Sequence, residues 1–140
     1  MLKWLREFSK PKCFFSSEIY SILGFLPKKI EFYNQAFSHS SIEQQEYGNN
    51  ERLEFLGDAI FNAVITEYLF HKMPNKDEGT LTDIRSKMVS RKTLNLLAKK
   101  IKIDTMVRTN LGDKTPSSVY GNAFEALIAA IYLDKGPKFC

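Results

Sequence analysis

Cysteine is nearly absent from this chain: Cys13 and Cys140 are the only two, near opposite ends. Two thiols so placed exclude a disulfide framework or a cysteine zinc centre and fit a reduced cytoplasmic protein. No apolar run approaches the roughly 18 residues that a membrane-spanning helix requires. The opening MLKWLREFSKPKCFF has basic residues but neither a long apolar stretch nor a small-residue cleavage site, so no secretory signal is expected. Repeats, low-complexity tracts and domain linkers are missing too. The 140 residues are therefore expected to form one domain over 16–140, preceded by a loosely attached arm over 1–15. There is no glycine-rich loop to cradle phosphates, and no serine or cysteine in a recognisable nucleophile setting. His39 and His71 are isolated from one another; His39, within Ser38-His39-Ser40-Ser41, is read as fixing a loop by hydrogen bonds rather than acting as a base.

What is present is ordinary in bulk and unusual in detail. Hydrophobic residues make up 44% and charged residues 26%, as in soluble globular proteins, while eleven Phe and six Tyr imply an aromatic core. The net charge of +4 is only a weak sign of a polyanionic partner. Its distribution says more. Arg85, Lys87, Arg91, Lys92, Lys99, Lys100 and Lys102 crowd one stretch, and acids crowd residues 43–54. A basic belt beside a carboxylate cluster can bind phosphates and keep a metal next to them; a solvated helix face explains the belt almost as well.

Hydrophobic spacing predicts helices almost throughout. Ser16-Ser17-Glu18 opens a short helix to Leu23, stopped by Gly24 and Pro27. A second covers residues 30–37 with Phe32, Ala36 and Phe37 inward, and a polar loop follows over 38–48. Asn49 or Asn50 caps a long helix to about Lys72, ended by Met73-Pro74-Asn75. Asp77-Glu78-Gly79-Thr80 starts another, with Leu81, Ile84, Met88 and Val89 at helical spacing. Leu94, Leu97, Ala98 and Ile101 define a short one, residues 109–118 are turn-rich, and a last helix runs from Val119 to Leu133. Period-two alternation is rare, so the fold class is all-α.

The run Asn50-Glu51-Arg52-Leu53-Glu54-Phe55-Leu56-Gly57-Asp58-Ala59-Ile60 puts three carboxylates into a stretch that otherwise reads as buried helix. At i, i+3 and i+7, Glu51, Glu54 and Asp58 share one narrow stripe. Leu53, Leu56, Ile60, Ala63 and Val64 are expected on the opposite, inward side, with Phe55, Phe61 and Ile65 flanking the acids. No Lys or Arg stands at i+4 to support a solvated acidic face. An ordinary negative surface is one reading, and a divalent cation site between helices is the sharper one. The last helix repeats the oddity: Asn122 and Glu125 lie three apart among small residues, Gly121, Ala126 and Ala129. Small neighbours permit close helix approach, either for packing alone or for a site shared by two helices. Glu54, Asp58, Asn122 and Glu125 together offer oxygen donors only, which suits Mg²⁺ or Mn²⁺ and disfavours zinc.

These residues carry a family likeness. NERLEFLGDAI at 50–60 resembles the defining motif of the ribonuclease III catalytic domain, and the likeness extends to His39 and Ser41, to Asp77-Glu78-Gly79, and to FEALIAAIYLDKG at 124–136. The resemblance implies an all-α, homodimeric endonuclease that cleaves double-stranded RNA with Mg²⁺, Mn²⁺ substituting. Products would carry 5′-phosphate and 3′-hydroxyl ends, in the processing of ribosomal or messenger RNA. Carried over residue by residue, Glu54 and Glu125 match metal ligands and Asp58 the acid regarded as catalytic. Glu51 and Glu78 match further acids near the scissile phosphate or the dimer contact, and Phe55 and Leu56 would pack at the dimer interface. Arg85, Lys87 and Arg91 are the expected RNA contacts.

Two departures stand out. The family has Asp where this chain has Asn122. An amide oxygen still ligates a metal, but one unit charge lost about 4 Å from a cation costs about 4 kcal/mol per unit of cation charge at an effective dielectric of 20, before desolvation relief. A non-catalytic relative that binds double-stranded RNA therefore stays open as the second reading. The chain also stops at Cys140, where most bacterial members continue into a double-stranded-RNA-binding domain. A fragment with weak, steeply salt-dependent RNA affinity is the expectation.

Overall fold

The computed structural model describes residues 12–139, with side chains from Ser17 onward, so residues 1–11 of the expected arm and the two thiols fall outside the described residues. Among the described residues six α-helices follow one another: α1 (Lys12–Leu23), α2 (Ile30–Ala36), α3 (Glu51–Lys72), α4 (Glu78–Met88), α5 (Arg91–Lys100) and α6 (Ser118–Lys135). Short 3-10 turns occupy Ile103–Thr105 and Gly112–Lys114. The extended pairing among the described residues is a single parallel bridge between Ser38 and Arg108, so the fold is all-α as the periodicity predicts. Helix α1 is already helical at Lys12, the first described residue, four residues before the Ser16 start expected from the serine pair.

Helix α6 is the axis of the fold. Val119, Gly121, Ala123, Ala126, Leu127, Ala129 and Ala130 are all buried, on more than one face, as befits a helix surrounded by others. Its small side chains let α3, α5 and α2 pack directly against it, with α3 making the most extensive contact. Ile19, Tyr33, Phe37, Leu53, Ile103 and Met106 fill the space around it. Tyr33, which sequence spacing did not single out, is wholly buried, whereas Phe32, expected inward, is only partly so.

Along α3 the expected inner face holds for one half only. Leu53 is buried and Leu56 and Ile60 are half-buried, but Ala63 and Val64 are exposed. The reason is the crossing: α6 meets the first half of α3 at Gly57 and Phe61, whereas Thr66, Leu69 and Phe70 of the second half share a groove with Glu78, Leu81 and Arg85 of α4, which buries none of its own residues. The start of α3 also differs in detail from a simple Asn cap. Asn50 occupies the cap position, yet its side chain is 2% exposed and donates to the Ala36 carbonyl at 3.2 Å, tying α3 to the end of α2. Asn49 does the capping, its Oδ1 accepting the Glu51 N–H at 3.1 Å. Helices α4 and α5 have side-chain caps, Asp77 accepting from the Thr80 N–H at 2.7 Å and Ser90 from that of Thr93 at 3.3 Å.

The far end of α6 is clamped by Asp134. Its carboxylate accepts the N–H groups of Lys28 and Lys29, the latter at 2.8 Å, and the Tyr33 hydroxyl at 3.0 Å. Lys135 lies 3.7 Å from the same carboxylate and donates to the Leu26 carbonyl at 3.0 Å. Burial alone would raise the Asp134 proton affinity, but the two backbone donors, the phenol and the Lys135 ammonium together hold its pKa below the ordinary carboxylate range. A group depressed in the folded state contributes stability above its unfolded pKa, lost as pH falls through the folded one. Asp134→Ala should therefore cost about 2 to 3 kcal/mol at pH 7. In urea unfolding at pH 7 and again below about pH 4, the gap from the unmodified chain should narrow in acid; a gap independent of pH would show that the carboxylate charge does not matter.

Candidate active site

Three helices wall one open cleft of about 570 Å³. The first half of α3 contributes Glu51, Glu54 and Asp58, the beginning of α5 contributes Arg91 and Asn95, and the first two turns of α6 contribute Gly121, Asn122 and Glu125. Val89, Leu94 and Phe55 supply its apolar parts. Two glycines allow the convergence. A Cβ on Gly57 would stand 1.8 Å from the Glu125 carbonyl oxygen, and one on Gly121 would stand 2.4 Å from Asn95 Oδ1. Glu51, Glu54 and Asp58 of α3 and Asn122 and Glu125 of α6, distant from one another in sequence, thus line one cleft.

Charge in the cleft is uneven. Glu125 is half-buried, and that burial, together with the negative Asp58 and Glu54 beside it, pushes its pKa up to about 7. Arg91 opposes the rise. Glu54 is shifted upward by burial as well, against the pull of Arg91 and with a push from Glu51 and Asp58. Asp58 Oδ1 also accepts from Asn62 Nδ2 at 3.0 Å, which fixes its rotamer. Among the described residues no three acidic, histidine or cysteine side chains form a ready-made ligand cage. The acids instead line the cleft with negative charge that Arg91 only partly balances. Such a cleft favours an added cation, and its oxygen-only donors fit a hard one.

The remaining expected site residues lie elsewhere. Glu78 sits at the start of α4 and lines a separate groove of about 450 Å³ with Thr66, Leu69, Phe70 and Arg85. Arg85 donates to Thr66 Oγ1 at 3.1 Å, and exposed Lys87 pairs with Asp83 at 2.7 Å. Of the three expected RNA contacts, Arg91 alone reaches the acidic cleft. His39 acts within its loop: Nδ1 accepts the Ser41 N–H at 3.1 Å and lies 2.9 Å from Ser41 Oγ, which accepts the Asn110 N–H at 3.0 Å. That arrangement matches a loop-fixing role. Asn95 went unnoticed in the sequence; its signal is the i+4 spacing from Arg91, which puts both on one face of α5.

A family model described as Ribonuclease-III-like matches residues 29–140. The chain belongs to the ribonuclease III family. It is 44% identical over 131 residues to Ribonuclease 3 of Zunongwangia profunda, covering 90% of this chain and 54% of that protein. With Ribonuclease 3 of Phocaeicola vulgatus it shares 48% identity over 126 residues, covering 86% of this chain and 41% of the relative. The chain thus spans about half the length of the curated relatives it matches. Among solved structures, the nuclease domain of ribonuclease III from Campylobacter jejuni superposes with a TM-score of 0.80 at 33% identity, covering 92% of this chain and 88% of that one. Dicer from Pichia stipitis aligns with a TM-score of 0.62 at 31% identity, over 78% of this chain and 48% of its own. The six-helix fold is that of a ribonuclease III nuclease domain.

In the cation-free protein the raised pKa of Glu125 has a definite sign. The folded chain holds a proton that the unfolded chain releases, so stability falls as pH rises from about 4.5 to about 7. After allowance for solvent screening of a half-exposed group, the loss is about 1 to 2 kcal/mol. Glu125→Gln should lack this component and melt higher than the unmodified chain at pH 8 in a chelating buffer. Parallel pH profiles of the two melting temperatures would show that this carboxyl is not strained by its neighbours.

Proposed function

We propose that this domain hydrolyses phosphodiester bonds in double-stranded RNA with Mg²⁺, which Mn²⁺ can replace, and acts as one half of a homodimer. The observation that carries the reading is the cleft shared by Glu54, Asp58, Asn122 and Glu125, with its excess of negative charge. Those four side chains would hold the cation, the carboxamide of Asn122 through its oxygen. When bound, the cation would polarise a phosphoryl oxygen and make a water acidic enough to attack phosphorus. Glu125, whose proton affinity is raised by burial and by the negative Asp58 beside it, can hold or pass a proton at the edge of the cleft. Arg91 stands where it can hold a phosphate oxygen, and Glu51 lines the same cleft. Arg85 and Lys87 are the proposed outer contacts to the RNA backbone, and products would carry 5′-phosphate and 3′-hydroxyl ends. Processing of ribosomal or messenger RNA precursors in the cytoplasm is the matching cellular task; no helix among the described residues is long and apolar enough to cross a membrane.

The surface next to the cleft supports the dimer. Phe55 is 83% exposed, beside a groove of about 610 Å³ lined by Phe32, Leu53, Leu56 and Leu133. A twofold axis there would seat Phe55 of one protomer in the groove of its partner, and the reverse. The Campylobacter jejuni nuclease domain has a flexible region involved in dimer formation. Glu78, remote from the cleft of its own chain, would then contribute through the dimer.

Incubation of the purified chain with long duplex RNA, with and without Mg²⁺ or Mn²⁺, tests the reading. Metal-dependent cleavage that Glu125→Gln slows by about 10²-fold or more is the expected result. Cleavage by Glu125→Gln at the unmodified rate would remove the site assignment. The second reading, a relative that binds duplex RNA without cutting it, is favoured by the amide at Asn122 and predicts binding with no cleavage under any metal. Asn122→Asp should raise the rate at limiting Mg²⁺, with the gain shrinking as Mg²⁺ saturates; no gain would show that Asn122 does not touch the cation.

A further inference from the structure

Among the described residues, Asn95 Oδ1 is the single buried side-chain oxygen or nitrogen without a hydrogen-bond partner. It belongs to a wall of the acidic cleft, one turn along α5 from Arg91. Asn95 Nδ2 donates to Ser117 Oγ at 3.3 Å, which anchors the carboxamide to the start of α6. Oδ1 is pressed against Gly121: a Cβ there would stand 2.4 Å from it, and the next nearest atom, Leu94 Cβ, lies at 3.4 Å. The glycine therefore makes room for this one oxygen. A C–H···O contact from Gly121 is too weak to replace the hydrogen bond that burial forfeits. The bond to Ser117 accounts for the carboxamide nitrogen but not for the oxygen left without a partner.

Electrostatics give a reason for that oxygen. Helix α6 begins at Ser118 without a side-chain cap, and the side chain of Asn122, tilted toward the helix start, lies within about a turn of the positive end of its dipole. That end disfavours a cation. An unpaired carboxamide oxygen fixed by burial is a permanent negative pole that water does not screen. We propose that Asn95 is a positioning residue for the cation: its orphaned oxygen offsets the α6 dipole beside Asn122 and strengthens cation binding at a site with one carboxylate fewer. This rests on the cation-site reading above, and it assigns Asn95 no direct bond to the metal.

A size-swap separates field from packing. Gly121→Ala, Asn95→Ala and the double variant are made in the full chain, and each is measured for thermal stability and for Mn²⁺ affinity by titration of the cation-free protein. Gly121→Ala should melt lower, and Asn95→Ala in the same chain should restore the melting temperature, since the new methyl enters the vacated space. Mn²⁺ should nevertheless bind Asn95→Ala and the double variant about tenfold more weakly than the unmodified chain. Unmodified affinity in the restored double variant would overturn the assignment of Asn95 and leave the site reading intact. A double variant that stays as unstable as Gly121→Ala overturns it as well, because the clash would then not be with this oxygen. No Mn²⁺ binding by the unmodified chain overturns both.

Discussion

The backbone contact between Gly57 and Glu125 is the constraint on which the rest of the molecule depends. A side chain at 57 cannot coexist with the Glu125 carbonyl, so α3 and α6 touch main chain to main chain there. The close approach buries Leu53 on one side of the crossing and presents Glu54 and Asp58 to Glu125 on the other. Core and cleft are thus two sides of one crossing. Moving the helices apart by the width of a methyl group would loosen the small-residue packing of Ala123, Ala126 and Ala130 and dilute the acidic cluster together.

Gathering acids at such a crossing has a cost in the cation-free state, visible in the upward shifts of Glu54 and Glu125. Against that background the amide at 122 acts in two directions. A carboxylate there would deepen the attraction for a divalent cation, and by the same Coulombic term would deepen the repulsion from Glu125 before the cation arrives. In the proposed cation site Asn122 would give up affinity and relieve repulsion, and Arg91 opposes the rise at Glu125 from α5. The cleft is balanced between standing alone and being filled.

Much of this was legible in the chain. Helix periodicity and the stops at Gly24 and Pro74 set the element order, because those signals are local. The convergence of Glu51, Glu54 and Asp58 with Asn122 and Glu125 was legible too, because acids without cationic neighbours and small residues beside them are informative wherever the helices end up. What escaped depends on tertiary placement. Ala63 and Val64 carry the same inward pattern as Leu53, but nothing in the sequence states that α6 leaves α3 halfway along. Asn50 reads as a cap and serves as a buried tether, a distinction set by where the end of α2 lies. Glu78 belongs to the same family motif set as the cleft acids, yet its groove is on the other half of α3. Asn95 reads as one polar residue in a leucine-rich helix, and its unpaired oxygen exists only once Gly121 is beside it.

Helix α3 carries one more consequence. Its acidic stripe faces the cleft, and between those acids Phe55 projects almost fully into solvent. An aromatic ring left that exposed forfeits burial worth about 2 kcal/mol, which a well-packed monomer would recover by turning it inward. It cannot turn inward here, because rotating α3 to bury Phe55 would move Gly57 off its contact with α6 and take Glu54 and Asp58 out of the cleft. The crossing that assembles the acids therefore also commits an apolar side chain to the surface. In the proposed dimer that same ring finds its burial in the partner, so association would hold α3 in the rotation that the cation site requires. In that proposed dimer, pairing of subunits and readiness of the cleft would be coupled through one helix, and each would be weakened by loss of the other.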